Sequence, residues 1–181
     1  MSLLLCFSGQ IGSGKSSVSA AVAEALGWRR TGFGDYLRSE ISRLGGDPKD
    51  RQALQDLGQE RVDDDAAAFC RDVLSFGGFQ PGDDFVIEGV RHVSIYEALA
   101  GLSLPSQVRL PFLGAGEATR ASRVNSRTDA LDFDRASKHR VELELGTTLP
   151  ERADGVVDAD QTFEQVVSDC LSLVQCWRQS G

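Results

Sequence analysis

The sequence predicts an α/β fold of three layers, a roughly five-stranded parallel sheet with helices on both faces. Two observations carry the prediction. Short apolar runs of strand length alternate with longer helical segments from one end of the chain to the other. The first apolar run, Leu3 to Ser8, feeds a glycine-rich segment and then an alanine-rich helical one. Such alternation builds βαβ units, whose strands are parallel and whose crossovers are right-handed.

Taken in order, the strand candidates are Leu3–Ser8, a short run near Trp28–Thr31, Phe85–Glu88, Gln107–Leu113 and Gly155–Val157. The last is brief, but it sits between Ala153-Asp154 and the acidic turn Asp158-Ala159-Asp160. Helices are expected over Lys15–Leu26, Asp35–Leu44, Lys49–Arg61, Asp63–Phe76, Ser94–Ala100, Glu117–Ser126, Arg135–Leu145 and Thr162–Trp177. Asp35 is expected to cap the second helix, and Gly45-Gly46 to end it. Two regions carry more helix than a crossover needs, residues 34–80 and residues 120–146. Both are read as flaps over a site at the carboxyl ends of the strands, where ligands bind in such sheets.

Length and composition fit one domain, 1–181, large enough to bury a proper core. Hydrophobic content of 41% and charged content of 25% are those of a soluble globular protein. The net charge of −8 argues against a general affinity for nucleic acid. No apolar run reaches transmembrane length, and no basic segment precedes Leu3, so neither a membrane span nor a signal peptide is expected. Cys6, Cys70, Cys170 and Cys176 show no C-x-x-C spacing, which suggests a reducing compartment without a disulfide framework or zinc site. A cytoplasmic monomer or homodimer is expected.

The segment Gly9-Gln10-Ile11-Gly12-Ser13-Gly14-Lys15-Ser16 fits G-x-x-x-x-G-K-[ST], the phosphate-binding P-loop, and it lies between a strand and a helix as such a loop must. Glycines let backbone N–H groups approach phosphates, and the helix that Ser17 continues adds partial positive charge. Lys15 is expected on the β- and γ-phosphates and the Ser16 hydroxyl on Mg²⁺, with ATP as donor. The overall expectation is therefore a P-loop NTPase fold.

Three further stretches carry chemistry. In Gly32-Phe33-Gly34-Asp35-Tyr36-Leu37-Arg38, Asp35 and Arg38 lie one helical turn apart. They are read either as a clamp on an anionic acceptor or as a cap plus a surface arginine. In Phe85-Val86-Ile87-Glu88-Gly89-Val90-Arg91, an apolar strand ends on a carboxylate and then an arginine. Glu88 is read as holding a Mg²⁺-bound water or orienting the acceptor, and Arg91 as facing a phosphate; a solvated strand end is the alternative. In Arg120-Ala121-Ser122-Arg123-Val124-Asn125-Ser126-Arg127, Arg123 and Arg127 share a helix face that Arg120 borders. Like charges at that spacing repel unless an anion sits among them, and phosphoryl transfer supplies one; a solvated basic face is the alternative. Arg135 and Arg140 are weaker candidates for the same site.

These residues carry a resemblance. Gly34-Asp35-Tyr36-Leu37-Arg38 resembles the G-D-x-L-R of adenylate kinases and other nucleoside monophosphate kinases. Glu88-Gly89-Val90-Arg91 is similar to their D-G-x-P-R, and the Arg123 and Arg127 pair resembles the paired arginines of their lid. The region after Glu142, with Leu145-Gly146 and Ala153-Asp154, is similar to adenylate-kinase-like and dephospho-CoA-kinase-like proteins. The resemblance implies that Arg38 and Arg91 bind the acceptor's phosphate and that Arg123 and Arg127 bind the donor's. Residues 34–80 then form the acceptor-binding insertion and residues 120–146 a short lid. The departures are specific: Glu88 stands for the usual Asp, Val90 replaces a residue pair so that Arg91 comes one residue sooner, the lid has no cysteines for zinc, and the second strand lacks a D-x-D pattern.

The expected activity is transfer of the ATP γ-phosphate to a small phosphorylated acceptor. If the acceptor were a hydroxyl, as in dephospho-CoA, Asp35 is the candidate base. A P-loop ATPase or nucleotide-operated switch without a small acceptor is the rival from another class, and a binding module without catalysis is a third reading.

Overall fold

The computed structural model describes residues 1–125 and 145–180. Six strand segments, β1 (Leu3–Gly9), β2 (Arg29–Gly32), β3 (Phe85–Val90), β4 (Gln107–Arg109), β5 (Pro111–Gly114) and β6 (Gly155–Asp158), form one sheet in the order β2-β3-β1-β5-β6, with β4 also on β1. Every pairing is parallel. The helices are α1 (Lys15–Leu26), α2 (Phe33–Arg43), α3 (Arg51–Phe76), α4 (Val93–Leu102), α5 (Glu117–Asn125), α6 (Thr148–Arg152) and α7 (Phe163–Gln179). The helix expected over Arg135–Leu145 falls, but for Leu145, outside the described residues.

The strand β1 lies at the centre and all seven of its residues are buried. Side chains alternate across a strand, so one sequence run serves two cores. Leu4 and Cys6 join Phe85, Ile87 and Phe112 against α2, α3 and α4, whereas Leu3, Leu5 and Phe7 join Val86 and Leu113 against α1 and α7. Helices on both faces explain why the central strands β1 and β3 are almost continuously buried rather than alternating. The expected three-layer architecture is present.

Where one strand is expected over Gln107–Leu113, two segments occur. Their register against β1 is continuous, Leu5 opposite Arg109 and Ser8 opposite Phe112. The gap has a local cause: the Leu110 N–H donates to Asp154 Oδ2 at 2.7 Å, and Pro111 has no N–H to give. The roughly five-stranded sheet is thus five lanes wide with one lane interrupted.

Two helix starts differ from expectation. The helix α2 begins at Phe33, with Gly32 at its N-cap in extended backbone and no side-chain cap. Asp35 therefore lies inside the first turn and does not cap the helix. At the other end the Gly45 N–H bonds to the Ser42 carbonyl and the Gly46 N–H to that of Ile41, closing the helix at the glycine pair as expected. The two helices expected on either side of Val62 run as one, α3, broken instead at Asp65 (φ −161°, ψ 94°). Asp65 Oδ1 accepts the Ala68 N–H at 2.8 Å and so caps the second half. Every fully buried residue of α3 (Phe69, Cys70, Val73 and Leu74) lies beyond that break. Leu54, Leu57 and Val62, before it, are only partly buried.

Candidate active site

The order of the lanes reverses at β1, whose carboxyl end opens onto Gly9–Ser16, the switch point where α/β sheets bind ligands. The helix α1 starts at Lys15 as expected. Lys15 is buried yet lines a cavity of about 270 Å³ together with Ser16, Ile11 and Gly12. Gly12 is needed for close approach: a Cβ there would lie 2.6 Å from the Arg120 carbonyl oxygen. The Ser13 hydroxyl is buried inside the loop without a hydrogen-bond partner. The Ser13 N–H turns back to the Gln10 carbonyl at 3.1 Å.

The segment Glu88-Gly89-Val90-Arg91 is shaped by a β-bulge. Phe7 pairs with Glu88 but Ser8 pairs with Val90, leaving Gly89 as the extra residue, at φ +88°. That backbone is easy only for glycine, and the bulge re-aims the strand end toward the loop. Glu88, 4% exposed, accepts the Ser16 Oγ hydrogen bond on Oε2 at 3.2 Å. Glu88 and Arg91 both line the cavity.

The neighbouring strand brings a second carboxylate to the same place. Gly32 pairs with Glu88 in register, and Asp35 follows within the first turn of α2. The point a Gly32 Cβ would occupy is 2.8 Å from Glu88 Oε1 and 3.1 Å from Asp35 Oδ2, so the two oxygens converge over a glycine. Asp35 Oδ1 meets Arg38 at 2.8 Å, and Arg38 lines the cavity whereas Asp35 does not.

Arg30, which sequence reasoning passes over, completes this cluster. Its guanidinium lies 3.8 Å from Asp35 Oδ2 and 3.6 Å from Glu88 Oε1, and its Nε donates to Ser19 Oγ at 3.0 Å. The available signal was strand periodicity: Arg30 and Gly32 share a face of β2. A buried carboxylate requires a charged or hydrogen-bonded partner, and Glu88 has both.

The far wall of the cavity comes from α3 and the start of α4. Arg51 and His92 line it with Gln55 and Gln59, beside the apolar side chains of Phe33, Leu37, Leu54, Val62, Phe69 and Ile95. Arg51, Gln55, Gln59 and His92 are also missed by sequence reasoning, because only the packing of α3 and of the turn into α4 brings them to the cavity.

On the other side of the loop, α5 leans on it through Ile11 and Val124. Arg123 donates to the Ser13 carbonyl at 3.3 Å and to that of Ala159 at 2.7 Å. Arg120 Nε donates to the Ala115 carbonyl at 3.2 Å and stays at the β5–α5 turn. Arg123 lines a second cavity of about 230 Å³ with Gly14, Ser17, Val18, Ala159 and Phe163. Asp160 pins that side in place: hydrogen bonds from the Thr119 hydroxyl and the Gly116 N–H, aided by Arg123, hold its carboxyl below the ordinary aspartate range. Arg127, Arg135 and Arg140 lie outside the described residues.

A magnesium site is testable against these atoms. Mg²⁺ takes oxygen donors, often one or two carboxylates, with substrate phosphates and water completing its shell. Ser16 Oγ, Glu88 and the Asp35 oxygen over Gly32 form such a set. Among the described residues no group of three or more His, Cys, Asp or Glu side chains could hold a metal by itself. The residues therefore fit a metal shared with phosphate rather than a cage. No helix among the described residues is long and apolar enough to cross a membrane.

No protein-family model matches the sequence. A curated relative from Aeropyrum pernix, designated UPF0200 protein, is 34% identical over 98 residues, 54% of this chain and 51% of the relative. The chain thus spans about half the length of the curated relative that it matches. A gluconokinase structure from Sinorhizobium meliloti superimposes with a TM-score of 0.57 at 21% identity, covering 99% of this chain and 94% of that one. Shikimate kinase from Bacteroides thetaiotaomicron gives 0.61 at 15% identity (96% and 98% covered). Shikimate kinase from Acinetobacter baumannii, in complex with shikimate, gives 0.62 at 14% (97% and 94% covered). These likenesses extend over nearly the whole chain and establish that it has the three-layer α/β fold of P-loop kinases.

Proposed function

We propose that this chain is an ATP- and Mg²⁺-dependent phosphotransferase that moves the γ-phosphoryl group of ATP to a small phosphorylated acceptor, a nucleoside or deoxynucleoside monophosphate. One observation carries the reading. The cavity beside Lys15 and Ser16 is walled by three arginines from three different segments, Arg38, Arg51 and Arg91, and by an apolar face. Three guanidinium groups suit a dianionic phosphate, which they bind bidentately, and the apolar face with the two glutamine amides suits a flat ring.

In this reading Gly9–Ser17 cradle the donor phosphates, and Lys15 offsets the charge that gathers on the transferring group. Arg123, with Arg120 and, by the sequence resemblance, Arg127, serves the donor side; the cavity at Ala159 and Phe163 takes the donor's base. Ser16 and Glu88 would hold magnesium, which supplies charge neutralisation to the triphosphate when bound. Arg38 and Arg91 hold the acceptor's phosphate, and Asp35 orients Arg38 through their 2.8 Å contact. A phosphate oxygen is already nucleophilic, so this acceptor needs no base. Closure of residues 34–80 over the cavity would exclude water and limit hydrolysis of ATP.

A hydroxyl-bearing acceptor, of the dephospho-CoA or sugar-acid kind, is the second reading. It is favoured by the gluconokinase and shikimate kinase that share the fold. The buried carboxylate at the cavity wall, Glu88, then joins Asp35 as candidate base.

The test is ADP release with ATP and Mg²⁺ against ribo- and deoxynucleoside monophosphates, dephospho-CoA, gluconate and shikimate. A nucleoside monophosphate should raise the rate at least about tenfold over ATP alone, and Lys15→Ala should abolish the increase. Stimulation only by the hydroxyl acceptors selects the second reading. No stimulation by any of them rejects the transferase, and hydrolysis of ATP alone then points to the ATPase or switch.

A further inference from the structure

The two site carboxylates each commit one oxygen to a close partner, Glu88 Oε2 to Ser16 and Asp35 Oδ1 to Arg38. Their remaining oxygens converge over Gly32, where a divalent cation would be expected to settle unaided. Arg30 stands within 4 Å of both oxygens, at 3.6 and 3.8 Å. It is held there by Ser19, whose own hydroxyl donates to the Ser16 carbonyl at 3.1 Å. With Arg30 and Arg38, the two carboxylates form an electrically neutral group, and Lys15 adds a positive charge at the cavity wall.

We infer that Arg30 is a built-in counter-ion of the Asp35 and Glu88 pair, which keeps a free divalent cation out of the site so that the metal enters only with a nucleotide. The physical basis is the sum of charges. A divalent ion entering the nucleotide-free site meets no net negative charge, and a guanidinium stands behind the very oxygens it needs. Repulsion of that kind falls only as the inverse of distance. A bound triphosphate supplies the missing negative charge and most of the oxygen ligands. The consequence is an ordered loading, with nucleotide and metal together, that spares the site from idle metal. The inference rests on the Mg²⁺·ATP chemistry proposed for the same site.

Mn²⁺ titration of the nucleotide-free protein, followed by the loss of the free-ion electron paramagnetic resonance signal, tests it without any acceptor or turnover. Wild type should bind Mn²⁺ with a Kd of about a millimolar or weaker, the weak end of protein sites for divalent cations. Arg30→Gln should bind at least about tenfold tighter, because one positive charge has gone from beside the ion. Arg30→Lys, which keeps the charge, should stay near wild type, and Arg30→Gln with Glu88→Gln should lose the gain. Circular dichroism melts check that each variant folds. Micromolar binding by wild type overturns the inference whatever the variants do. So does an Arg30→Gln protein that binds no tighter than wild type, or a gain that survives Glu88→Gln. Failure of the acceptor panel counts against the proposed function alone, since no acceptor enters this titration.

Discussion

Gly32→Ala places a methyl group between the two carboxylates of the site and leaves everything else in place. Gly32 has φ −145° and ψ 146°, an extended conformation that alanine adopts freely, so the substitution adds no backbone strain. Its Cβ would sit 2.8 Å from Glu88 Oε1 and 3.1 Å from Asp35 Oδ2, against an ordinary contact of 3.4 Å or more. Glu88 must then withdraw by about 0.6 Å and Asp35 by about 0.3 Å to relieve the overlap. Asp35 can do so toward solvent. Glu88 is buried, and it must stretch its 3.2 Å hydrogen bond with Ser16 or its contact with Arg30. A charge-assisted hydrogen bond contributes about 1.5–3 kcal/mol, partly offset by the roughly 0.4–1 kcal/mol that alanine gains over glycine by restricting the unfolded chain. Net destabilisation should therefore be about 1–2 kcal/mol, a few degrees in Tm. Catalysis should suffer more, because misplacement of a site group by under an ångström costs roughly tenfold to a hundredfold in rate. The assay pairs a thermal melt with ADP release at saturating substrates over a range of Mg²⁺. Wild-type kcat with a wild-type Mg²⁺ dependence would refute the convergence of Asp35 and Glu88 on one functional point.

Other expectations follow from the same geometry. Arg38→Ala should raise the acceptor KM or lower kcat about tenfold or more while leaving ATP affinity nearly unchanged in an equilibrium binding measurement; a large loss of ATP affinity would move Arg38 to the donor side. Burial pushes the thiols of Cys70 and Cys170 up to about 12 and raises that of Cys6, whereas Cys176 is exposed. A disulfide reagent at pH 8 should accordingly titrate one fast thiol in the native protein and four after denaturation; a second fast thiol would contradict the packing. The Asp160 carboxyl is held low by Thr119, Gly116 and Arg123, so it favours the fold above the ordinary aspartate range near pH 4 and loses that effect as pH falls further. Melts of wild type and Asp160→Asn should therefore differ at pH 7 and converge toward pH 2.

What could be read from sequence was what short-range chemistry determines. Glycine spacing marks Gly9–Ser16 because a tight turn from strand to helix with positive φ at Gly9, Gly12 and Gly14 leaves little choice of residue. Apolar runs mark the central strands β1 and β3 because both faces of the sheet are covered there. The start of α2 was misjudged since an aspartate near a helix start resembles a cap, whereas extended Gly32 begins the helix and Asp35 turns to Arg38. Arg30 escaped notice because a charged residue in a short strand carries no local sign of its partners. Its role depends on the register that sets Gly32 beside Glu88, 56 positions away in the chain. Arg51, Gln55 and Gln59 were hidden for a similar reason: a helix face becomes a cavity wall only through its packing on α2.

The break at Asp65 divides labour within one helix. The buried residues of α3 all follow it, while the cavity-lining residues from Arg51 to Val62 precede it, with Phe69 alone serving both core and cavity. If this segment holds the acceptor as proposed, substitutions in the leading half would change which acceptor is held at modest expense to folding, because its side chains are at most partly buried. On that reading a lineage carrying this helix could exchange one substrate for another by local drift in about a dozen residues, with Gly9–Ser16 and the sheet beneath left untouched.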